Sequence, residues 1–411
     1  MQYVFKKKLR IHFAGILGDG IFKTAILASK NGYKVTGCDS QINYPNAEKK
    51  MKLLLEHEIH VEYGNAAEHV EGNDILVVSP ALLYNENPNI EVIAAKQKGI
   101  LMLWQVFLMK YIIRQSTLIC VTGTHGKTTT ALILEYMFWK EKQNVIVIAG
   151  EQIIGNMNCF DENTIYVVEC EEFNNNFLAY EPDCIILTNI ELDHPEISKD
   201  FKWLLNKYMM FLQKIKKNGC LIANLNNDGV KKLLKKTNLS QEIQIECLGR
   251  DERSYFVKKS NEEKIELIPP VKLKIIGCHN QENFNLAYMC MKRFVNNKKI
   301  TYQKYIDFSG VTRRCQKVYE NDNLVLYNDF GHHPTELLTV IKAILQEYRG
   351  RKLAVIWEPN RKGRTYYFHK EYSEALKIAK KVFVYKTYKE NGIDLDEYFE
   401  KLEFSGKKYV Y

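Results

Sequence analysis

Proline is scarce at 9 of 411 residues, no apolar run approaches the roughly 20 residues that span a bilayer, and the 10 cysteines include no Cys-x-x-Cys pair. Few prolines among 46% apolar and 26% charged residues fit a well-packed chain, and the missing apolar run argues against a helical membrane protein. Without paired or zinc-spaced cysteines the chain is neither a disulfide scaffold nor a zinc finger, and its scattered thiols read as reduced and mostly buried, as in the cytoplasm. Internal repeats and low-complexity segments are also missing. The excess of 58 Lys and Arg over 49 Asp and Glu gives +9, yet no basic arm stands out, so a nucleic-acid partner is not expected. The opening MQYVFKKKLRIHFAGILGDGIF imitates a signal peptide, but Gly15, Gly18 and Gly20 break its apolar part, which reads as a strand entering a glycine turn.

What is present is an alternation of strand-like and helix-like segments, the pattern of parallel sheets covered by helices. Strands at 10–14, 34–38 and 74–78 with helices at 21–31 and 47–58 make a βαβαβ unit. A new unit starts at Thr117 and continues with strands at 145–148, 166–169, 184–188 and 219–223 and a helix at 200–217. Antiparallel edge strands are expected over 240–275, with a turn at Pro269 and Pro270, and then a helix over 280–295. A second switch near 308–313 leads to strands at 324–328, 353–357 and 381–385 and helices at 334–346 and 372–380. The expected domains are 1–115, 116–310 and 311–411, and oligomeric state is not legible.

Thr122-Gly123-Thr124-His125-Gly126-Lys127-Thr128-Thr129 joins a buried strand to a helix. Amides at the helix start and the helix dipole hold phosphate oxygens, Lys127 reaches terminal phosphates, and the Thr128 hydroxyl suits Mg²⁺. Glu169, Glu171, Glu172 and the stretch Asn189 to His194 follow other apolar strands, so they fall on the same sheet edge. Mg²⁺ prefers oxygen ligands, which suits Glu172 beside Thr128. Gly15, Gly18 and Gly20 follow the first strand and Asp39 ends the next, a loose dinucleotide-fold pattern with Asp39 available to a ribose.

The loop TGTHGKTT resembles the ATP loop of the Mur ligases. ECEEFNNNFL resembles the family's EADESDxSFL, which implies a metal role for Glu172 although Glu171 replaces an Asp. TNIELDHPE resembles TNIExDH, implying a second-metal role for His194. GCHNQEN resembles Gly-x-His-Asn-x-x-Asn, implying nucleotide contacts for His279, Asn280 and Asn283, with Cys278 in place of Arg. GVTRRCQ and YNDFGHHPTE, with Arg314, Asp329, His332 and His333, resemble GVKRRFQ and DDYGHHPTE, which implies that Asp329 holds the ATP ribose. EPNRKGRT resembles the QPHRYTRT of the family's alanine-adding branch, with Asn360 for His, which implies that Arg361 and Arg364 meet an amino-acid carboxylate. SPALLYNENP, starting at Ser79, resembles SSAIxxxNP and aligns the first domain, where Leu17 and Ile21 depart from Gly-x-Gly-Gly-x-Gly-Met.

The resemblance implies an α/β architecture of three domains: a Rossmann-like domain for a UDP-sugar, a P-loop ATPase-like domain for ATP and Mg²⁺, and a Rossmann-like domain for the amino acid. It implies that the carboxylate of UDP-N-acetylmuramate takes the γ-phosphate of ATP and that L-alanine displaces phosphate from the acyl phosphate. Lys127, Glu172 and His194 are then catalytic. ATP contacts fall to Gly123, Thr124, His125, Gly126, Lys127, Thr128, Thr129, His279, Asn280, Asn283, Arg314 and Asp329. Substrate contacts fall to Gly15, Gly18, Gly20, Asp39, Ser79, His332, Arg361 and Arg364. A family member that recycles murein tripeptide and a nucleotide-binding homologue without turnover remain alternatives. The ending KKYVY falls within an expected strand, so a shortened third domain is expected.

Overall fold

The computed structural model describes residues 8–40, 46–83, 89–150, 153–155, 163–193, 200–251, 254–259, 265–269, 271–297, 300–359 and 362–385. Its first sheet orders five parallel strands as His60–Tyr63, Lys34–Asp39, Arg10–Ala14, Ile75–Val78 and Leu101–Leu103. Chain order reverses beside Arg10–Ala14, so the turn at Gly15 opens at the switch point, where ligands of such sheets bind. The helix Asp19–Lys30 buries Ile21, Phe22, Ala25 and Ile26 against the sheet.

The second sheet has nine strands, with Thr117–Thr122 between Cys184–Leu187 and Ile165–Cys170 and all three parallel. Each is buried on both faces, which is why each reads as a short run of Ile, Val and Leu. The helices Lys127–Lys140 and Cys278–Phe294 pack together over one face of it. One apolar cluster joins Phe13, Phe22 and Phe107 of the first unit with Leu118, Tyr208 and Phe211 of the second.

The third unit holds an antiparallel hairpin, Gln316–Glu320 with Val325–Asn328, and a parallel pair, Ala354–Trp357 with Lys381–Val384. The helices Pro334–Glu347 and His369–Lys377 cover the pair around Trp357, Tyr372 and Leu376. The residues from 386 onward, with the KKYVY ending, lie outside the described residues.

Several expectations are corrected. No strand forms at 271–275: Val271, Leu273 and Ile275 tuck their side chains onto the second apolar cluster, and the antiparallel edge consists of Gln244–Arg250, Tyr255–Lys259 and Ile265–Ile268. The helix expected over 200–217 is Phe201–Leu212, capped by the Asp200 carboxylate at 2.6 Å from Trp203 N and followed by left-handed Asn218 at φ +63°. The helix Asp228–Lys236, capped by Asn227, and the strands His60–Tyr63 and Gln316–Glu320 have no counterpart among the expected elements. Among the described residues, no helix is long and apolar enough to cross a membrane.

Candidate active site

The phosphate loop follows the strand Thr117–Thr122, so the ends of its two neighbours flank it: Glu169 pairs in register with Val121, and Thr188 and Asn189 follow Leu187. Gly123 and Gly126 have φ of +134° and +78°, and a Cβ would strike Thr188 and Asn189 at the first and the Asn283 amide at the second. Asn189 accepts from His125 N at 2.8 Å and donates to His125 O at 2.9 Å. The Thr124 hydroxyl accepts from Glu191 N at 2.9 Å, and the Thr188 hydroxyl donates to His125 O at 2.7 Å. The sequence Thr-Asn-Ile-Glu therefore shapes the loop, a role its resemblance alone did not imply.

Lys127 Nζ donates to the carbonyls of Gly123 and Thr124 at 2.8 and 3.0 Å and lies 3.8 Å from Glu172. Burial works against its charge, but Glu172, Glu171 and Glu169 outweigh burial and hold its pKa above the ordinary value. Thr128 donates to Glu169 at 2.9 and 3.0 Å. Glu169, in register with Val121 on the adjacent strand, thus meets the Thr128 hydroxyl, and Glu172, expected as a metal ligand, follows the end of that strand. Glu172 Oε2 is buried and makes no hydrogen bond among the described residues, so it keeps an acceptor for a cation.

His125 Nδ1 lies 3.1 Å from Glu336 and its Nε2 3.4 Å from Glu191. Burial alone would depress its pKa, but Glu336 and Glu191 prevail and raise it to about 9. Glu336 belongs to the helix Pro334–Glu347 and forms a capping box with His333, so the loop's histidine is tied to the third unit. A second tie is buried Arg364, which donates to both oxygens of Asp193 at 2.7 and 3.1 Å. The arginine expected to meet an amino-acid carboxylate is here engaged with a protein carboxylate. Its companion Arg361 and the histidine His194 lie outside the described residues.

Two cavities open around the loop. One of about 620 Å³ is lined by Asp19, Gly20 and Ser79 of the first unit, Thr128, Glu169 and Glu171 of the second, and Arg314 and Phe330 at the third. The other, about 220 Å³, is lined by His125, Gly126, Thr129, His279, Asn280, Asn283, Arg314 and Asp329, so most residues expected to contact the nucleotide do converge. Asp329 accepts from Cys315 N at 2.6 Å and Gly331 N at 2.7 Å, shaping its own loop, and burial raises its pKa. Burial depresses His279 to about 4, leaving a neutral ring. His332 N donates to Glu336 at 3.0 Å, and His332 O accepts from Tyr372 at 2.6 Å.

In the first unit, Gly15 N and Ile16 N donate to Cys38 O, and Asp39 accepts from Leu17 N at 3.0 Å. Asp39 therefore braces the turn and does not line the large cavity. Gly18 precedes the helix Asp19–Lys30, and Gly20 is forced to be glycine by Trp104, 2.5 Å from where a Cβ would sit. Lys23 had no role in the sequence pattern, yet its Nζ donates to Ala149 O at 2.6 Å and Gly150 O at 2.5 Å and lines the large cavity. Burial lowers its pKa to about 8. The available signal was a lysine on the apolar stripe of its helix, between Phe22 and Thr24.

Fold and loop define an α/β protein with a phosphate-binding loop where three units meet. Family models for the Mur ligase family catalytic domain, the Mur ligase middle domain and the Mur ligase glutamate ligase domain match residues 10–105, 121–291 and 313–411. The chain belongs to the Mur ligase family. A UDP-N-acetylmuramate–L-alanine ligase of Caldicellulosiruptor bescii is 28% identical over 395 residues, 92% of this chain and 83% of that one. Its namesake from Carboxydothermus hydrogenoformans is 27% identical over 423 residues, 99% and 89% of the two chains. Among solved structures, the UDP-N-acetylmuramate–alanine ligase of Thermotoga maritima superposes with a TM-score of 0.70 at 19% identity, covering 98% of this chain and 90% of that one. A murein peptide ligase of Psychrobacter arcticus gives 0.65 at 20% identity with the same coverage. These two likenesses establish the shared fold.

Proposed function

We propose that the chain is an ATP-dependent ligase that joins L-alanine to the lactoyl carboxylate of UDP-N-acetylmuramate. The observation that carries this reading is the shared cavity. Asp19 and Gly20, where the glycine turn of the first unit enters its helix, and Thr128 at the helix end of the phosphate loop line one space of about 620 Å³, so a sugar nucleotide held on the first can present its carboxylate to a γ-phosphate held on the second. The relatives named for that activity supply the substrates.

In this reading a carboxylate oxygen bonds to the γ-phosphorus and the bond to ADP breaks. The alanine amine then attacks the acyl carbon, phosphate leaves, and the amine gives up a proton. Lys127 and the amides of residues 123–128 hold the phosphates, and Arg314 reaches both cavities from the hinge. The adenine and ribose of ATP are assigned in this reading to the smaller cavity, beside Asn280, Asn283 and Asp329. The oxygen set of Thr128, Glu169 and Glu172 suits Mg²⁺, which would offset the charge of the triphosphate. Residues 1–115 are read as the sugar-nucleotide domain, 116–310 as the ATP domain and 311–411 as the amino-acid domain.

Mass spectrometry of the product, with ATP and UDP-N-acetylmuramate and either L-alanine or the murein tripeptide as acceptor, tests the proposal. The alanine adduct is expected. A tripeptide adduct alone would move the chain to the recycling branch, and ADP formation without any adduct would reject a ligase.

A further inference from the structure

A second constellation lies in the first unit, away from the phosphate loop. His12 is on the strand Arg10–Ala14, Cys38 on Lys34–Asp39, His69 in the turn Ala67–Val70, and Glu91 in the first turn of the helix Ile90–Lys98. His12 pairs in register with Thr36 and Ala14 with Cys38, so His12 and Cys38 are diagonal neighbours on one face of the sheet, and the helix carrying Glu91 covers that face. All four donor atoms lie within 4.8 Å of one another. Cys38 Sγ is 3.0 Å from Glu91 Oε1, His69 Nδ1 is 2.5 Å from it, and His12 Nε2 is 4.0 Å from it.

The orientation of the two rings is the telling feature. His12 is held through Nδ1 by the Thr36 hydroxyl at 2.8 Å, which aims Nε2 inward, where it is buried and makes no hydrogen bond among the described residues. His69 is held through Nε2 by Glu62 at 2.7 Å, which aims Nδ1 inward. An outer oxygen fixing one ring nitrogen while the other faces a common centre is the pattern around metal-bound histidines. Glu91 has no exposure, its Oε2 makes no hydrogen bond among the described residues, and its ion pairs there are with His12 and His69. Cys38 packs in one apolar cluster with Val70, Leu76, Val92 and Ala95, and His12 and Glu91 are buried beside it.

We infer that His12, Cys38, His69 and Glu91 form a structural zinc site. The set of two imidazoles, a thiolate and a carboxylate suits Zn²⁺ in tetrahedral geometry, whose ligand atoms stand roughly 3.3–3.8 Å apart, so shifts of less than about 1 Å bring the quartet into place. A thiolate and a carboxylate balance the two charges of the ion, leaving a neutral buried site, and the thiol proton leaves to solvent on binding. Four protein ligands fill the coordination sphere, which marks a site that supports structure. Its place gives it a purpose, because Gly15 and Ile16 hang from the carbonyl of Cys38, and a metal on the Cys38 thiolate would brace the glycine turn from behind. The four residues are spread over 80 positions of chain, which is why their spacing carries no signal in the sequence.

The test is a Co²⁺ titration of the full chain, stripped with chelator and free of nucleotide. One equivalent is expected to bind with the visible bands of a four-coordinate ion and a near-ultraviolet band from thiolate to cobalt, and Zn²⁺ is expected to displace it. Cys38→Ser is expected to lose the near-ultraviolet band. Thr36→Val keeps every ligand and is expected to weaken affinity about 10- to 100-fold. ATP binding by each variant reports folding at a distance. Absence of the near-ultraviolet band in the unaltered chain, or its persistence in Cys38→Ser, overturns the proposal. Should Cys38→Ser fail to fold, unchanged Co²⁺ affinity in Thr36→Val overturns it as well.

Discussion

The turn at residues 15–20 is closed from within its own unit, by the Cys38 carbonyl, the Asp39 carboxylate and Lys50, whereas the loop at 123–126 is held by Thr188 and Asn189 from a distant segment, packs against Asn283 and reaches Glu336 of the third unit. Both are glycine turns between a buried strand and a helix, yet they differ in charge. The helix after the first begins with Asp19, whose carboxylate lies 2.6 Å from Lys50, and the helix after the second begins with Lys127 beside three glutamates. The first is a scaffold whose end, at Asp19 and Gly20, lines the large cavity. The second is, in the proposed reading, an anion site whose lysine already stands in the loop, and its His125 pairs with Glu336 of the third unit.

That contrast predicts unequal responses to equivalent changes. Lys127→Ala is expected to lower kcat by at least about a thousandfold, since it removes the cation that the proposed reaction sets against the transferred phosphoryl group, whereas Lys50→Ala leaves kcat within about threefold. Steady-state rates on both variants check this, and equal losses would erase the distinction. Gly123→Ala is expected to cost about a hundredfold in kcat, because a Cβ there meets Thr188 and Asn189 and displaces the loop. Gly20→Ala instead meets the Trp104 ring and is expected to raise KM for the sugar nucleotide about tenfold, with kcat nearly unchanged. A kcat defect in Gly20→Ala would show that the two turns act as one.

The smallest expected effect is on pH dependence. His125 has its pKa raised from 6.5 to about 9, so the stabilisation from its pairs with Glu336 and Glu191 is full below 6.5 and fades as pH rises through 9. Melting temperatures across that range are expected to fall more in the unaltered chain than in His125→Gln. Parallel curves would place the pairing outside the folded state's energetics.

Much of this was legible in sequence for a physical reason. Strands buried on both faces, such as Thr117–Thr122 and Cys184–Leu187, are short apolar runs, and the phosphate loop follows one of them. The edge strands of the first sheet were not legible: His60–Tyr63 is largely exposed and Leu101–Leu103 has three residues. The helix Asp228–Lys236 was missed although Asn227 caps it and Val230 and Leu233 are spaced for one face. In the site, local chemistry was readable and long-range pairing was not. Nothing near Arg364 in sequence points to Asp193, 171 residues away, and Glu336 reads as a helix-cap residue before it reads as a partner of His125. That Glu169 meets the Thr128 hydroxyl needed the strand register.

The central claim is that the two turns serve one cavity in which a substrate carboxylate attacks ATP. The most direct test is turnover with UDP-N-acetylmuramate labelled with ¹⁸O in its lactoyl carboxylate, L-alanine and ATP, with the released phosphate read by mass spectrometry. Direct attack predicts one ¹⁸O transferred to phosphate from each fully labelled carboxylate. Phosphate without label, or ADP formed at the same rate when the sugar nucleotide is omitted, would contradict it.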